Sequence, residues 1–261
     1  MTHILQLSDL HIMPEGQLFQ SSIDTAAALR QMLAGLAGLL PAIGPLERLV
    51  ISGDLTETGC AGAYDHLRAI LADTPLPWWR AIPGNHDSRE AMRAFAAQDD
   101  WMPGDGPINW RDDLHDVTIL GLDTLVEGAA HGAVTDATLD WLSAMLRDLR
   151  QRPVLIFMHH PPFDPGISAM DAIGLAPNPR FEALLRDHDG PVQIACGHVH
   201  RMITGQFAGR AVTIAPGTSH AVGLDLRMDA GIEVIPGHSG AILHDIRAKC
   251  RTLLNSPEYF C

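Results

Sequence analysis

Residues 79–87 have the sequence WRAIPGNHD, in which a short apolar run is followed by Pro-Gly and then by three polar residues. The same order, an apolar run that gives way to Asp, Asn or His, occurs four more times along the chain. Short apolar runs bounded by turn residues are typical of buried β-strands. The other four runs, with the polar residues after them, are Leu5–Leu7 with Asp9 and His11, Leu49–Ile51 with Asp54, Leu155–Met158 with His159 and His160, and Gln193–Ala195 with His198 and His200.

Helical patterns separate these strands. The predicted helices have apolar residues three and four positions apart, and most begin at a residue that can cap the first turn. They are Ala26–Leu40 after a capping box of Ser21 and Asp24, Tyr64–Leu71, a helix after Thr135, and one that starts at Pro179 behind Asn178 and ends near Asp187. The alternation of strands and helices predicts an α/β (α+β) fold.

After about residue 200 the pattern changes to strands joined by tight turns, as in Met202–Phe207 and Ala211–Ala215. No polar linker separates the two parts of the chain. We therefore predict one domain over residues 1–261, built on two packed sheets, with a core over 1–220 and a β-rich C-terminal segment over 221–261. The stretch Leu224–Ile246 in that segment is a candidate dimerisation element.

The charge of the chain limits the ligands that it can bind. Its 261 residues include 18 Lys and Arg against 31 Asp and Glu, a formal net charge of −13, together with 14 His. Such an acidic surface argues against an extended nucleic acid as partner, because a broad phosphate-neutralising face is missing. It does not exclude a small anionic substrate, since bound metal ions can supply positive charge locally.

Neither a membrane nor a disulfide framework is expected. The longest uncharged stretch, Gln31–Leu46, is too short to span a bilayer and contains three glycines and two prolines. The first residues lack the basic and apolar regions of a secretion signal, so we expect a cytoplasmic protein. The four cysteines have no C-x-x-C spacing. Whether Cys60, Cys250 or Cys261 forms an intermolecular disulfide is left open.

The polar residues after the five strands predict a metal site. In open α/β sheets the carboxyl ends of the strands line the binding crevice, so these side chains should gather in one place. Asp9 with His11 and His198 with His200 have i, i+2 spacing, which puts both side chains of a pair on one face of extended backbone. The set is larger than one ion needs. Two ions about 3.5–4 Å apart, a spacing suited to in-line phosphoryl displacement, account for it better.

The ordered motifs resemble those of the calcineurin-like metallophosphoesterase superfamily. They are Asp9-x-His11, Gly53-Asp54, Gly84-Asn85-His86-Asp87, His159-His160 and Gly197-His198-x-His200. Residues 83–87, 158–162 and 216–220 are similar to segments of bacterial class III cyclic-nucleotide phosphodiesterases and glycerophosphodiesterases. The resemblance covers residues 3 to about 220 and implies a four-layer αββα sandwich of two mixed β-sheets.

The resemblance also implies a binuclear metal centre with its ligands. One divalent ion would be held by Asp9, His11 and His200, the second by Asn85, His159 and His198, and Asp54 would bridge both. A carboxylate has two oxygens and can serve two ions, whereas an imidazole serves one. The two carboxylates leave two divalent ions with a net charge of 4 − 2 = +2, which attracts phosphate. The metals could be Fe, Mn, Zn or Co, because nitrogen and oxygen sites of this kind accept all four.

Four further residues, His86, Asp87, His160 and His220, are expected beside the metals. His86 should stabilise the charge of the transition state and protonate the leaving alkoxide, with Asp87 as an orienter of its ring. Asn85, His86 and His220 are expected to contact the substrate, and Asp54 and His86 are the predicted catalytic residues. His160, directly after a predicted ligand, is expected to play a supporting role.

The predicted function is that of a dinuclear-metal phosphodiesterase, a hydrolase of small phosphodiesters such as the 3′,5′-cyclic nucleotides cAMP and cGMP, acting through a metal-bridging hydroxide. The alternatives are a glycerophosphodiester phosphodiesterase, a broad-specificity phosphodiesterase or phosphomonoesterase and, in a different class, a non-catalytic scaffold of the same fold. The scaffold is disfavoured because every ligand residue is present. Purple acid phosphatases have a tyrosine where this chain has Glu57, and protein Ser/Thr phosphatases have an arginine where it has Pro83. Substrate choice should depend on the loops Asp99–Asn109 and Asp164–Asn178, and a homodimer or higher homo-oligomer is expected.

Overall fold

The structure is a computed structural model that describes residues 2–74, 76, 78–246 and, as a strand, 251–255. Its helices are α1 Thr25–Ile43, α2 Ala61–Ala72, α3 Arg89–Phe95, α4 Asp136–Leu149, α5 Ser168–Asp171 and α6 Pro179–Arg186. Its strands are β1 Thr2–Leu7, β2 Arg48–Ile51, β3 Trp79–Ala81, β4 Trp110–Asp113, β5 Thr118–Leu122, β6 Val154–Met158, β7 Val192–Cys196, β8 Ile203–Phe207, β9 Arg210–Ile214, β10 His220–Val222, β11 Val234–Pro236, β12 Ala241–Ile246 and β13 Arg251–Asn255.

Two large sheets form the centre of the fold. The first has the strand order β13-β12-β1-β2-β3 and the second the order β4-β5-β6-β7-β9-β8. Strands β1, β2 and β3 are parallel, as are β5, β6, β7 and β9. Strands β12 and β13 of the first sheet and β4 and β8 of the second pair antiparallel with their neighbours. Both sheets are therefore mixed, as predicted. Strands β10 and β11 form a separate two-stranded sheet.

Burial along β6 shows how the layers are stacked. Leu155 and Phe157 belong to a core shared with the first sheet and with α1, α2 and α3. Their neighbours Ile156 and Met158 belong to a second core shared with α4 and α6. Because successive side chains of a strand point to opposite faces, the second sheet has the first sheet on one face and helices on the other. The predicted four-layer αββα sandwich is thus confirmed.

Helix α1 starts differently from the prediction. Asp24 is its N-cap and accepts a hydrogen bond from the backbone N–H of Ala27 at 2.8 Å. Ser21 lies in the preceding turn with φ of 61° and does not cap the helix. Within the described ranges, α1 is the one helix that is long and apolar enough to cross a membrane by length and composition. One face of the helix, with Leu29, Met32, Leu33 and Leu36, is buried in the first core.

The C-terminal segment is less regular than predicted. Residues 224–233 form neither helix nor strand, and β11 is only three residues long. Strand β12 pairs with β1 on one edge and with β13 on the other, so the chain itself uses both edges. Cys60 and Cys196 are free thiols, whereas Cys250 and Cys261 lie outside the described residues.

A buried polar network joins the two sheets. The side-chain amide of Gln6 on β1 donates to Ser52 Oγ at 2.8 Å and to the carbonyl oxygen of Cys196 on β7 at 2.9 Å. His244 Nε2 on β12 donates to Gln6 Oε1 at 3.0 Å. Buried polar groups must be paired, so this network fixes how β1, β7 and β12 face one another.

We expect His244 to make the stability of the fold depend on pH. Burial lowers the pKa of His244 to about 3, whereas an unfolded histidine has a pKa of about 6.5. Between these values the unfolded chain binds a proton that the folded chain does not. The free energy of unfolding should therefore rise with pH in this window, by up to about 1.4 kcal/mol per pH unit from this group.

The measurement is urea unfolding at several pH values from 4 to 7 in the presence of EDTA. The variant His244→Gln keeps a donor for Gln6 and cannot take up the proton, so its free energy of unfolding should rise less steeply with pH. Equal slopes in the two proteins would contradict the prediction.

Candidate metal centre

The carboxyl ends of five strands meet at one edge of the two packed sheets. The loops after β1, β2 and β3 come from the first sheet, and those after β6 and β7 come from the second. The backbone N–H of His198 donates to Asp9 Oδ1 at 2.9 Å, which links the β7 loop to the β1 loop. The structure brings all seven predicted metal ligands together here: Asp9, His11, Asp54, Asn85, His159, His198 and His200.

The first predicted ligand group is compact. His11 Nε2 lies 3.1 Å from His200 Nε2, and His200 Nε2 lies 3.4 Å from Asp9 Oδ1. Ligand atoms of these three residues and of Asp54 all lie within 4.8 Å of one another. This is the spacing expected of side chains that share one ion.

The second predicted group lies beside the first. Asn85 Oδ1 is 3.2 Å from His159 Nε2 and 3.0 Å from His198 Nδ1. Asp54 stands between the two groups, because its Oδ2 atom is 3.5 Å from His11 Nε2 and 3.3 Å from His159 Nε2. One carboxylate oxygen therefore reaches a member of each group.

The backbone takes an unusual conformation at these residues. Five of the seven are non-glycine residues with positive φ: Asp9 at 53°, His11 at 46°, Asp54 at 49°, His198 at 73° and His200 at 53°. A left-handed conformation costs a residue with a Cβ roughly 1–2 kcal/mol. Such outliers cluster at functional sites, where the surrounding structure holds them in place.

Two glycines make the close packing possible. A Cβ on Gly84 would lie 2.2 Å from Asp54 Oδ1, and a Cβ on Gly53 would lie 2.2 Å from His159 Nδ1. Gly53 also has φ of 101°. The glycines before Asp54 and Asn85 therefore let the polar side chains approach the backbone of neighbouring loops.

Burial and charge together set the protonation of the metal-free site. Burial alone would raise the pKa of Asp54, but the charges of His159 and His11 and a hydrogen bond from His159 hold it well below its usual range. Burial would lower the pKa of His159, but the charge of Asp54 and the hydrogen bond to it have the larger effect and raise the pKa to about 9. Burial raises the pKa of Asp9 to about 6 and lowers that of His198 to about 3. His200 is likewise kept neutral, because burial holds its pKa well below 6.5.

The donor atoms fit a pair of divalent cations. His159 Nδ1 donates to the carbonyl oxygen of Ser52, and His198 Nε2 donates to that of Ile173. The other ring nitrogens, His159 Nε2 and His198 Nδ1, face Asn85 Oδ1. In the neutral rings, lone pairs of two nitrogens and one oxygen thus point at one another, an arrangement that a cation between them stabilises. In the metal-free chain a proton on His159 takes that place. Asp9 Oδ2 is buried and has no hydrogen-bond partner among the described residues, as expected of an oxygen that a cation would satisfy. Two carboxylates, one amide and four imidazoles suit Fe, Mn, Zn or Co.

His86 lies beside this centre rather than in it. Its backbone N–H donates to Asp54 Oδ1 at 2.9 Å, and its half-exposed ring lines a cavity. Ring atom Nδ1 is 3.0 Å from the carbonyl oxygen of Glu57 and 3.3 Å from Glu57 Oε2. The prediction that Asp87 orients this ring is wrong. The carboxylate of Asp87 accepts hydrogen bonds from Tyr64 and from three backbone N–H groups, so Asp87 stabilises the loop itself.

The remaining two predicted histidines have separate environments. His220 is buried, its ring stacks on Phe19 with centroids 4.6 Å apart, and it lines the same cavity. Burial lowers its pKa to about 3, so it is neutral. His160 uses both ring nitrogens for bonds to Thr124 Oγ1 and to the carbonyl oxygen of Ala130. It therefore supports the loop after β5.

The cavity above the metal centre has a volume of about 450 Å³ and one apolar wall. Three parts of the chain build this wall: Met13 and Phe19 from the loop after β1, Met170 and Ile173 from α5 and the turn after it, and Val222, Ile232 and Val234 from β10, β11 and their connection. Of the two loops predicted to govern substrate choice, 164–178 contributes to the lining. The loop 99–109 does not, because Arg93 on α3 binds the carbonyl oxygens of Pro103 and Gly106.

Sequence reasoning missed two features of the cavity. In the sequence Glu57 stands out only as a departure from the purple acid phosphatase pattern, whereas in the structure it contacts both His11 and His86. The contribution of β10 and β11 to the wall has no local motif. The only feature of the sequence that points to this contribution is the set of apolar residues within 222–234.

Comparison with known proteins agrees with the predicted resemblance. The family model of calcineurin-like phosphoesterases matches residues 2–202. A glycerophosphodiester phosphodiesterase, GpdQ of Enterobacter lignolyticus, is 30% identical over 221 residues, which cover 84% of this chain and 78% of GpdQ. A 3′,5′-cyclic adenosine monophosphate phosphodiesterase, CpdA of Escherichia coli K12, is 28% identical over 217 residues, which cover 82% and 75%.

A solved structure shows the same fold at lower sequence identity. A dimetal phosphatase from Danio rerio superposes with a TM-score of 0.63 and 16% identity, and the match covers 98% of each chain.

Proposed function

The chain belongs to the calcineurin-like phosphoesterase family and is a hydrolase of that family, and from this premise we propose that it is a dinuclear-metal phosphodiesterase that hydrolyses 3′,5′-cyclic nucleotides. The observation that carries the proposal is the position of Asp54. Its Oδ2 atom lies between two groups of nitrogen and oxygen donors, on the floor of a cavity large enough for a small diester.

Each ligand group would hold one ion. Asp9, His11 and His200 would hold the first, Asn85, His159 and His198 the second, and Asp54 would contact both. When bound, two divalent ions supply Lewis-acid activation of water and of the phosphoryl oxygens. The chain itself fixes their ligands through the loops after five strands, so the geometry is set before substrate enters.

His86 is proposed as the group that stabilises charge and moves a proton. Its Nδ1 atom is held by Glu57, so only Nε2 is left to exchange a proton in the cavity. The ring lies next to Asp54 without using its own nitrogens there, because the backbone N–H makes that bond. His86 can therefore face a bound phosphate and protonate the leaving alkoxide. His220, fixed on Phe19, would contact the substrate on the apolar side.

The apolar wall favours a nucleoside over a glycerol substituent. The planar face of a base can pack against Phe19, Ile173 and Val222, whereas glycerol hydroxyls would find few hydrogen-bond partners there. A glycerophosphodiester is the second candidate, and the similarity to GpdQ supports it. With a net charge of −13, the chain is not expected to bind extended nucleic acid.

We expect the Mn²⁺-loaded chain to hydrolyse diesters faster than monoesters and cyclic nucleotides faster than glycerophosphodiesters. The measurement is kcat/KM for cAMP, cGMP, glycerophosphoethanolamine, bis(p-nitrophenyl) phosphate and p-nitrophenyl phosphate. A well-filled apolar pocket discriminates by about 10- to 200-fold, which sets the expected preference. If the glycerophosphodiester is the better substrate, the second candidate replaces the first. If no diester is hydrolysed with any of Fe, Mn, Zn or Co, the proposal fails.

Two variants test whether the apolar wall determines substrate preference. Ile232→Ser places a hydroxyl on the lining and should lower kcat/KM for cyclic nucleotides about tenfold without affecting the glycerophosphodiester. Leu224→Ser changes an exposed apolar residue of the same connection outside the lining, so it should leave every substrate unchanged. Equal effects of the two variants would contradict a role for the wall.

We also propose a single cytoplasmic domain that forms a homodimer or higher homo-oligomer. Strand β12, from the C-terminal segment, lies inside the first sheet, which supports one domain over the described residues. The exposed side chains of Leu224, Leu226 and Met228 support a contact through Leu224–Ile246. A small phosphodiester, rather than a membrane, is the expected partner.

A further inference from the structure

Glu57 lies next to the metal centre without belonging to either ligand group. It follows Asp54 by three residues, and its side chain is 23% exposed at the edge of the cavity. Its Oε2 atom is 2.6 Å from His11 Nδ1 and 3.3 Å from His86 Nδ1. A carboxylate at 2.6 Å makes a short, charge-assisted hydrogen bond, so the contact to His11 is the stronger of the two.

The bond to Glu57 determines which nitrogen of His11 can bind a metal. An ionised carboxylate only accepts hydrogen bonds, so His11 Nδ1 must carry the proton. The lone pair of a neutral His11 is then on Nε2, the atom that lies 3.1 Å from His200 Nε2 and 3.5 Å from Asp54 Oδ2. Glu57 therefore holds His11 in the tautomer and orientation that the first ligand group requires.

The other candidate imidazoles are held in a different way. His159 and His198 each donate to a backbone carbonyl oxygen, of Ser52 at 2.9 Å and of Ile173 at 3.1 Å. His200 Nδ1 has no hydrogen-bond partner in the described part of the chain. Among these four rings, His11 is the one whose nitrogen away from the proposed metal is held by a side chain. A substitution can therefore remove its support without changing the backbone.

His86 has a second support, the backbone carbonyl group of residue 57, which a substitution of the side chain does not remove. Its Nδ1 atom is 3.0 Å from the backbone carbonyl oxygen of Glu57, closer than the 3.3 Å to the carboxylate. Replacement of the Glu57 side chain should therefore release His11 and leave His86 in place.

We propose that Glu57 is a positioning residue that holds His11 with Nε2 free to bind metal and thereby sets the affinity of the ion shared by Asp9, His11 and His200. The proposal rests on the ligand assignment made under the proposed function. It predicts an asymmetric effect, in which one ion binds more weakly and the other does not.

The test is a calorimetric titration of chelator-treated protein with Mn²⁺. The variant Glu57→Ala should weaken one of two binding events by about 10- to 100-fold, the usual effect of losing a partner that orients a metal-bound histidine. The other event should stay within about threefold. Glu57→Gln keeps the shape and an acceptor but loses the charge, so its affinity should be intermediate. Glu47→Ala, which removes a half-buried carboxylate that accepts from Thr2 in the region where β1 begins, should change neither event.

Two further measurements distinguish a positioning role of Glu57 from a general structural role. In EDTA Glu57→Ala should still unfold cooperatively, with a melting temperature lowered by no more than the loss of its one hydrogen bond to His11 allows, and kcat at saturating Mn²⁺ should return close to the wild-type value because His86 stays held. Unchanged affinities for both ions would overturn the proposal, as would a loss of kcat at saturating metal with normal affinity. If Glu57→Ala does not fold, Glu57→Gln becomes the test. A wild-type affinity of Glu57→Gln for the ion shared by Asp9, His11 and His200 would then overturn the proposal. The titration uses no substrate, so failure of the phosphodiesterase proposal is a separate result.

Discussion

Replacement of Asp54 by alanine is expected to lower kcat/KM for phosphodiesters by about 10³-fold or more and to leave fewer than two ions bound per chain. Asp54 Oδ2 reaches His11 of one ligand group and His159 of the other, and Oδ1 accepts from the backbone of His86. On the proposed ligand assignment, one substitution would thus remove a contact to both ions and to the loop that carries the proposed proton donor. Metal-ion stabilisation is worth several kcal/mol, and each 1.36 kcal/mol is tenfold in rate.

The measurement combines steady-state kinetics with metal analysis of protein that has passed a desalting column. Asp112→Asn is the matched control, because Asp112 is also a largely buried carboxylate but pairs with Arg48 and Arg80 away from the site. Asp112→Asn should keep its metals and its kcat/KM. An Asp54→Ala protein with two ions and a rate within tenfold of wild type would show that Asp54 does not bridge.

Replacement of His86 by alanine is expected to lower kcat by about 10²- to 10⁴-fold while both ions remain bound, the range typical of a lost general acid. The ring of His86 packs edge-on against that of His11, with centroids 4.8 Å apart, but its Nδ1 atom is held by Glu57 rather than by a predicted metal ligand. The loss should be smaller for a diester that releases p-nitrophenolate than for one that releases an alkoxide, because p-nitrophenolate needs no proton to depart.

Metal analysis and the dependence on leaving group test this role together. His188→Ala is the control, since His188 is a partly buried histidine beside α4 and α6, outside the cavity. It should keep full activity. Equal loss of metal and activity in His86→Ala would make His86 a support of the metal centre instead of the proton donor.

Much of the site could be predicted because its signals are local. Each ligand follows an apolar strand within a few residues, and parallel strands of one sheet end at a common edge, so the pattern places Asp9 near Asp54 in the first sheet and His159 near His198 in the second. The alternation of strands and helices predicts only an α/β class, whereas the two mixed sheets and the four layers were implied by the resemblance to the metallophosphoesterases. Proximity of the predicted site residues is what the structure shows; their chemical roles stay predictions.

The parts that could not be predicted depend on contacts between distant residues. Glu57 meets His11 only because the loops after β1 and β2 lie side by side, with the backbone N–H of His11 bonded to the carbonyl oxygen of Asp54. Asp87 was the nearest carboxylate to His86 in sequence, but its oxygens are occupied by backbone donors. The prediction that Asp87 orients the ring of His86 was wrong because side chains adjacent in sequence can point in different directions.

The left-handed backbone at five of the seven predicted ligands has an evolutionary consequence. At Asp9, His11, Asp54, His198 and His200 a glycine would adopt the observed φ without the steric cost that these side chains incur. Selection for folding and selection for catalysis therefore act in opposite directions at the same five positions. A descendant released from the need to bind metal could lose these side chains and gain stability, and it would keep the strands and turns that make the family recognisable.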